Sequence, residues 1–432
     1  MDIIFIILSI IVLLQSLVAL AAVIRFARYC LRPKAARPNR YQPKAVVIVP
    51  CKGLEEDFDE NIRALFLQDY RDYEIIFVAE SESDPAYAAL SKLIKQFRRS
   101  AWMVVAGEAR GCGQKVHNLC AAIDMLNSID RRAEVFVFAD SDARTHRSWL
   151  SELIAPLGDK KIGATTGFRW YLSSTSDRRL GGSLGSILLS VWNASAVSLL
   201  GSRSSFAWGG SMAIRRENFD RLGVMKRWKG AVSDDYALSS AIHEAGQRIK
   251  FVPQCLIPSY TNATVRELLE FTTRQIRITR VYSPGVWKLA GFSNFLYNLA
   301  FWGGLLWVIF EGFKGAVSQT LALSLIGIFA LGAISGWVRA GVAAALLKSD
   351  RERIQRQWWA YAMLGPVVSL IYLYNVIASA RTTRIIWRGI GYDLISPNET
   401  VIWRRPAQLN STDAGSRSAR KRKASVRSSS QK

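Results

Sequence analysis

Histidine is scarce in this chain, three in 432 residues, and none of the five cysteines, Cys30, Cys51, Cys112, Cys120 and Cys255, forms a C-x-x-C pair. That excludes a zinc site of the usual ligand spacing, and a few scattered cysteines in a chain this long do not make a disulfide framework. They read as free thiols in a reducing compartment. Acidic residues are also in deficit, 34 against 57 Lys and Arg, which leaves a formal net charge of +23. Such a charge invites nucleic acid as a partner, but no nucleic-acid-binding module is recognisable, and the basic residues gather beside apolar runs and in the C-terminal tail. That distribution follows from the positive-inside rule and attraction to anionic lipid, so a membrane is the expected partner and nucleic acid is not. Neither a Walker A loop nor a complete G-x-G-x-x-G is present. Gly107-Glu-Ala-Arg-Gly111-Cys-Gly113-Gln-Lys115 supplies only a glycine-rich turn before a helix, a weak phosphate signal by itself.

What the chain has in quantity is apolar sequence. At 50% hydrophobic it is too apolar for an ordinary soluble enzyme and too polar for an all-membrane protein, which predicts a soluble domain attached to membrane helices. Asp2 to Val23 is nearly unbroken Ile, Leu, Val and Ala, and predicts an N-terminal transmembrane anchor over 1–24. Arg25, Arg28, Arg32 and Lys34 follow it and nothing basic precedes. That puts the N-terminus outside and, after a basic linker over 25–44, the following chain in the cytoplasm. Apolar stretches at Phe292–Phe310, Leu321–Val338 and Trp358–Ala378 predict C-terminal transmembrane segments within 291–380. Three more spans would carry the C-terminus outside. Yet the loop with Lys348, Arg351, Arg353 and Arg356 and the stretch with Arg381, Arg384 and Arg388 both favour the cytoplasm. A re-entrant segment resolves the conflict, with the last stretch, which contains Gly365-Pro366, as the candidate. Residues 381–432 read as a basic, partly disordered cytoplasmic tail.

Between these segments, 45–263 alternates strands with helices. Strands are expected at Ala45–Pro50, Tyr73–Ala79, Trp102–Ala106 and Glu134–Ala139, and helices at Asp57–Leu67, Pro85–Phe97 and Lys115–Leu126. This succession predicts an α/β domain with a mostly parallel sheet whose strand ends share one rim, where open sheets bind ligands. Asp140 and Asp142 end the fourth strand on that rim. Two carboxylates this close repel unless a cation sits between them, and hard oxygen ligands suit Mg²⁺ or Mn²⁺ chelating a diphosphate; an acidic turn is the plainer alternative. Lys115 and Asn118 stand at the opening of a helix on the same rim. Asp234 and Asp235 precede another helix, which capping alone would also explain. Leu180–Leu200 is moderately apolar, but as a span it would put Asp142 and Asp235 on opposite sides of the membrane, so a buried or interfacial helix is expected. The region 264–290 is predicted as an amphipathic interfacial helix, its Arg266, Arg274, Arg277 and Arg280 reaching a polyanion or forming a solvated basic face.

Several short motifs then line up in order: Val49-Pro-Cys-Lys-Gly53, Asp69-Tyr-Arg-Asp-Tyr-Glu74, Ser83-Asp-Pro-Ala86, Lys115-Val-His-Asn118, Ala139-Asp-Ser-Asp142, Gly209-Gly-Ser211, Ser233-Asp-Asp235 and Arg274-Gln-Ile-Arg277. Together they resemble the inverting, membrane-bound family-two glycosyltransferases of GT-A fold, and most of all the ceramide glucosyltransferase branch. The resemblance implies that Asp84 contacts the nucleotide's base or ribose and that Lys115 and Asn118 help to hold it. Asp140 and Asp142 would bind nucleotide and metal, Mg²⁺ or Mn²⁺. Asp235 would be the general base, with Asp234 as a neighbour raising its pKa, and Arg274 and Arg277 would clamp the diphosphate. One position departs from the pattern: Ile278 follows Arg277 where the family carries a tryptophan, which in processive polymer synthases closes the site over the acceptor sugar. The implied activity is transfer of one sugar, from UDP-glucose or UDP-galactose, to the hydroxyl of ceramide or diacylglycerol with inversion. A processive polysaccharide synthase and a catalytically inactive membrane-bound binding protein are the alternatives.

Overall fold

Runs of β-branched and aromatic residues between polar turns form the central sheet. β1 (Ala45–Pro50) lies between β2 (Tyr73–Ala79), itself paired with β3 (Ala101–Val105), and β4 (Val135–Ala139); all four are parallel. β5 (Ile162–Ser173), β6 (Ser211–Arg215) and β7 (Arg248–Thr261) complete seven strands in the order β3-β2-β1-β4-β6-β5-β7. β6 runs antiparallel to β4 and β5, and β5 is parallel to β7. The α/β class with a mostly parallel sheet is therefore the one the sequence predicts. The computed structural model describes residues 2–32, 41–55, 57–129, 133–173, 183–201 and 205–405; the expected linker positions 33–40 and the tail from 406 lie outside the described residues.

The two-residue period of the strands divides the core in two. Val47, Val49, Ile75 and Phe77 point to one face, where Ile62, Leu65 and Leu90 of the Phe58–Phe66 and Pro85–Ile94 helices cover them. Val46, Ile48, Ile76 and Val78 point to the other, against Val116, Leu119 and Ile123 of the Gln114–Ser128 helix. Strands buried on both faces read as unbroken apolar runs, which is why they are legible in the sequence. The Leu184–Ala196 helix is buried, as expected, with Trp170 and Leu172 of β5 on one side and Ala340, Tyr361 and Val368 on the other.

Three helices are long and apolar enough to cross a membrane: Asp2–Cys30, Pro284–Gly312, which contains a π-helical turn at Leu299–Gly303, and Gln319–Leu346. The apolar stretch Trp358–Ala378 is broken at Leu364 into helices Trp358–Met363 and Gly365–Arg381, the second only 17 residues long. Its polar side chains are committed inward: Asn375 Oδ1 accepts from the Thr272 and Thr273 hydroxyls at 3.1 and 3.0 Å, and Ser369 Oγ donates to Asn298 Oδ1 at 3.0 Å.

The sequence reading of 381–432 as one tail is corrected over its first part. β8 (Arg384–Trp387), β9 (Ile390–Ser396) and β10 (Glu399–Arg404) form an antiparallel meander. Ile385, Ile390, Tyr392 and Leu394 pack against Val232 and Ile278, so apolar alternation within a basic stretch outweighs its charge. Because this meander docks on the α/β domain, the chain leaves that domain at Tyr282 and returns to it by Arg384. Crossings by Pro284–Gly312 and Gln319–Leu346, both long and apolar enough, would satisfy that return and would put both basic stretches on one side of a membrane.

Candidate active site

The rim at the end of β4 gathers acids and bases from five places in the chain. Lys115, at the start of the Gln114–Ser128 helix, puts Nζ 2.9 Å from Asp140 Oδ1 and 3.2 Å from Asp234 Oδ2. Arg169, near the middle of β5, reaches across to Asp140 Oδ2 at 2.7 Å and Asp142 Oδ2 at 3.1 Å. Its guanidinium also donates to the Tyr171 hydroxyl at 3.0 Å and lies 4.6 Å from the Trp208 ring centroid. The cation that the adjacent carboxylates require is thus present as a side chain, which the sequence reading does not foresee.

Gly209 and Gly210 allow this density of charge. A Cβ on Gly209 would stand 2.3 Å from Asp234 Oδ2 and 2.7 Å from Lys115 Nζ, and one on Gly210 2.6 Å from Asp140 Oδ2. Here glycine is required by close approach rather than by backbone conformation.

Burial and pairing pull the titrating groups in different directions. Burial would raise the Asp140 pKa, but Lys115 and Arg169 outweigh it and hold it below the usual carboxylate range. Asp234 is more deeply buried. Desolvation, with repulsion from Asp235 and Asp140, pushes it up to about 6 in spite of Lys115. Asp235 is half-buried in the first turn of the Asp234–Glu244 helix. Its Oδ1 accepts from the Ser233 hydroxyl and from Tyr236 N, and its Oδ2 accepts from Gly209 N at 3.3 Å. It has no ion-pair partner among the described residues, unlike Asp140, Asp142 and Asp234.

The remaining predicted residues divide. Asp84 caps the Pro85–Ile94 helix, its Oδ1 accepting from Ala86 N at 2.9 Å and from Gly53 N at 2.8 Å, which ties the loop after β1 to that helix. Asn118 is buried beneath the rim: its Oδ1 accepts from Gln114 Nε2 at 2.9 Å and its Nδ2 donates to Val78 O, so it braces the helix instead of facing the opening. Arg274 and Arg277 lie on the amphipathic Val265–Tyr282 helix, which a Thr264/Glu267 capping box starts. Neither guanidinium has a carboxylate partner among the described residues, and the Nε of each is buried and unpaired. Burial lowers the Arg274 pKa to about 10. It stands between Phe271 and Trp387 of β8, at 5.2 and 5.3 Å, and close enough to Arg169 to repel it. Arg277 donates to Arg384 O at 2.8 Å. Beside it, Tyr374, Ile377, Ala378, Arg381 and Thr382 complete a cleft of about 420 Å³.

This constellation extends over most of the chain, and so does its likeness to known proteins: the model of glycosyl transferase family 21 matches residues 4–400. The chain belongs to that family. The number differs from the family-two likeness of the motifs, while the ceramide glucosyltransferase branch to which they point is the one met among the relatives. The family 21 chain is 22% identical over 260 residues to ceramide glucosyltransferase 1 of Caenorhabditis elegans, covering 57% of this chain and 52% of that protein. It is 20% identical over 273 residues to ceramide glucosyltransferase 3 of the same organism, 60% of this chain and 56% of the relative. The matches thus span about half the length of these relatives. Among solved structures, a mannosyltransferase from Pyrobaculum calidifontis in complex with GDP-Man and Mn²⁺ aligns with 17% identity, 87% of this chain, 98% of that one and a TM-score of 0.48.

The family 21 chain offers a metal few ligands of its own. No group of three or more His, Cys, Asp and Glu side chains is arranged to hold an ion among the described residues. Asp140 and Asp142 are hard oxygen donors on one turn, a set that fits Mg²⁺ or Mn²⁺ arriving with a diphosphate to complete its shell. Arg169 and Trp387 are the two contributors absent from the sequence reading. An arginine inside a long strand carries no motif, and Trp387 reaches the site only because the chain returns from the membrane helices.

Proposed function

We propose that this chain is an inverting glycosyltransferase that moves one hexose from a nucleoside-diphosphate sugar, UDP-glucose or UDP-galactose, to the hydroxyl of a membrane lipid, ceramide or diacylglycerol. The observation that carries the reading is the contrast between Asp235, a half-buried carboxylate in no ion pair among the described residues, and Arg274, a guanidinium with a buried, unpaired Nε and likewise no ion pair among them. The first suits a base and the second an incoming anion.

In this reading Asp235 takes the proton of the acceptor hydroxyl as its oxygen forms a bond to the anomeric carbon, from the face opposite the nucleotide. The bond from that carbon to the diphosphate oxygen breaks, and the electron pair leaves with the nucleotide. Arg274 and Arg277 pair with the charge that develops there, in a site where burial strengthens the interaction. Asp140 and Asp142 would hold Mg²⁺ or Mn²⁺, which when bound neutralises the leaving diphosphate. Asp84 would receive the base or ribose with the carboxylate oxygen not used in capping, Lys115 would hold the nucleotide, and Asn118 would support it from below. The cleft beside Arg277 opens along an amphipathic helix, which supports an acceptor whose tails stay in the bilayer. Arg25, Arg28 and Arg32 support a cytoplasmic catalytic domain with the N-terminus outside.

The test is transfer of label from UDP-glucose and UDP-galactose, with Mg²⁺ or Mn²⁺, in membranes carrying this chain and supplied with ceramide or diacylglycerol. An organic-soluble product that disappears in Asp235→Asn, with UDP binding retained, is the expected result. Label found only in a water-soluble polymer would refute the single-transfer reading.

A further inference from the structure

We infer that Arg169 is a built-in cation that occupies the acidic pair Asp140/Asp142 in the free protein, so that a divalent ion gains the site only when a nucleoside diphosphate draws the guanidinium away. The inference rests on the proposed donor class and goes beyond it, because it assigns a positioning residue and an order of binding.

The geometry is that of a bridge. One guanidinium nitrogen lies 2.7 Å from Asp140 Oδ2 and the other 3.1 Å from Asp142 Oδ2, so a single planar group spans the carboxylates that would share a metal. The opposite oxygen of Asp140 is taken by Lys115 at 2.9 Å. Both acids are therefore paired without an added ion, which weakens their attraction for one. A divalent cation between the same oxygens would face the guanidinium at close range, and like charges in a buried site exclude each other.

Arg169 is also poised to leave. Its backbone is fixed, with Asn193 Nδ2 donating to Arg169 O at 2.9 Å and the strand paired in β5, but its side chain is held by contacts that a diphosphate can replace. Trp208 supplies a face along which the guanidinium can slide, at 4.6 Å from the ring centroid. Nearby Arg274, which lacks a carboxylate partner among the described residues, repels Arg169 until an anion comes between them. Phosphate oxygens offer guanidinium the same bidentate recognition as a carboxylate, so the donor can take over Arg169 while it delivers metal to the vacated acids.

The experiment is titration of the full-length protein in lipid nanodiscs with MnCl₂, reading free Mn²⁺ by electron paramagnetic resonance, with and without UDP. The wild type should take up Mn²⁺ weakly alone and at least about tenfold more tightly with UDP, a coupling of the usual allosteric size. Arg169→Gln should bind Mn²⁺ without UDP about as tightly as the UDP-loaded wild type. Arg169→Lys, a point charge unable to bridge both acids, should fall between and guards against misfolding of the first variant. Equal UDP-free affinities in wild type and both variants would overturn the inference while leaving the proposed reaction intact. Absence of Mn²⁺ uptake in every form with UDP bound would overturn the metal assignment beneath it, and the inference with it.

Discussion

Lys115 stands between Asp140 and Asp234, 2.9 Å from one and 3.2 Å from the other, and joins the end of β4 to the start of the Asp234–Glu244 helix. Its side chain is 16% exposed and that of Asp234 3%. The pair therefore couples two separately encoded acidic motifs through one buried cation. Removing that cation leaves uncompensated charge, which costs far more than a surface pair is worth.

Lys115→Met should destabilise the protein by about 3–5 kcal/mol, the range for breaking one side of a buried pair. The check is thermal unfolding in detergent beside Lys44→Met, whose half-exposed pair with Glu74 should matter little. Equal losses in the two variants would count against the buried pair.

Asp234 sets a pH dependence whose sign follows from its environment. Its folded pKa of about 6 lies above the value of about 3.9 for a free aspartate. Between those values the folded state holds more protons than the unfolded chain, so this group's contribution to stability falls as pH rises through that window. Asp234→Asn removes the dependence. The melting temperature of the variant relative to wild type should climb from about pH 4 to about pH 6 and then level off; a difference that falls with pH would contradict the raised pKa.

Gly209→Ala inserts a methyl group 2.3 Å from Asp234 Oδ2 and 2.7 Å from Lys115 Nζ. Overpacking of this kind costs about 1–3 kcal/mol, and here it also parts the ion pair. UDP affinity by calorimetry should drop with stability, whereas Gly246→Ala, with open space around it, should leave UDP affinity unchanged although its φ of +67° strains any side chain.

Arg274→Ala should lower kcat/KM by about 10²–10³-fold, the size of loss when a preorganised charge is removed from a transition state. Arg274→Lys should recover only part of it, since an ammonium lacks the planar fork. Steady-state transfer kinetics separate the cases, and full activity in the alanine variant would exclude Arg274 from the diphosphate site.

Much of the catalytic domain was legible because its strands are buried on both faces and therefore continuous in hydrophobicity, as in Tyr73–Ala79, whose observed limits are those expected. The aspartates were legible because they interrupt such runs. Arg169 was not, since it alternates with Phe168 and Trp170 in β5 as an outward-facing arginine would, and only the fold turns it towards Asp140. Asn118 was read one layer too far out: its place in a motif gave no hint that Gln114 and Val78 would enclose it. The meander failed for another reason. Arg384, Arg388, Arg404 and Arg405 outvote Ile385, Tyr392 and Leu394 in composition, and what rescues the strands is a partner surface at Val232 and Ile278, more than a hundred positions away.

The docking of β8 to β10 also dictates an order of assembly. Tyr392 accepts from Gln114 N at 3.1 Å, at the helix that carries Lys115, and Trp387 closes over Arg274. These residues leave the ribosome only after Pro284–Gly312 and Gln319–Leu346, the helices able to cross a membrane. The last wall of the site is therefore laid down only after those helices have been made, and a newly made domain remains incomplete until the chain beyond them has returned to it.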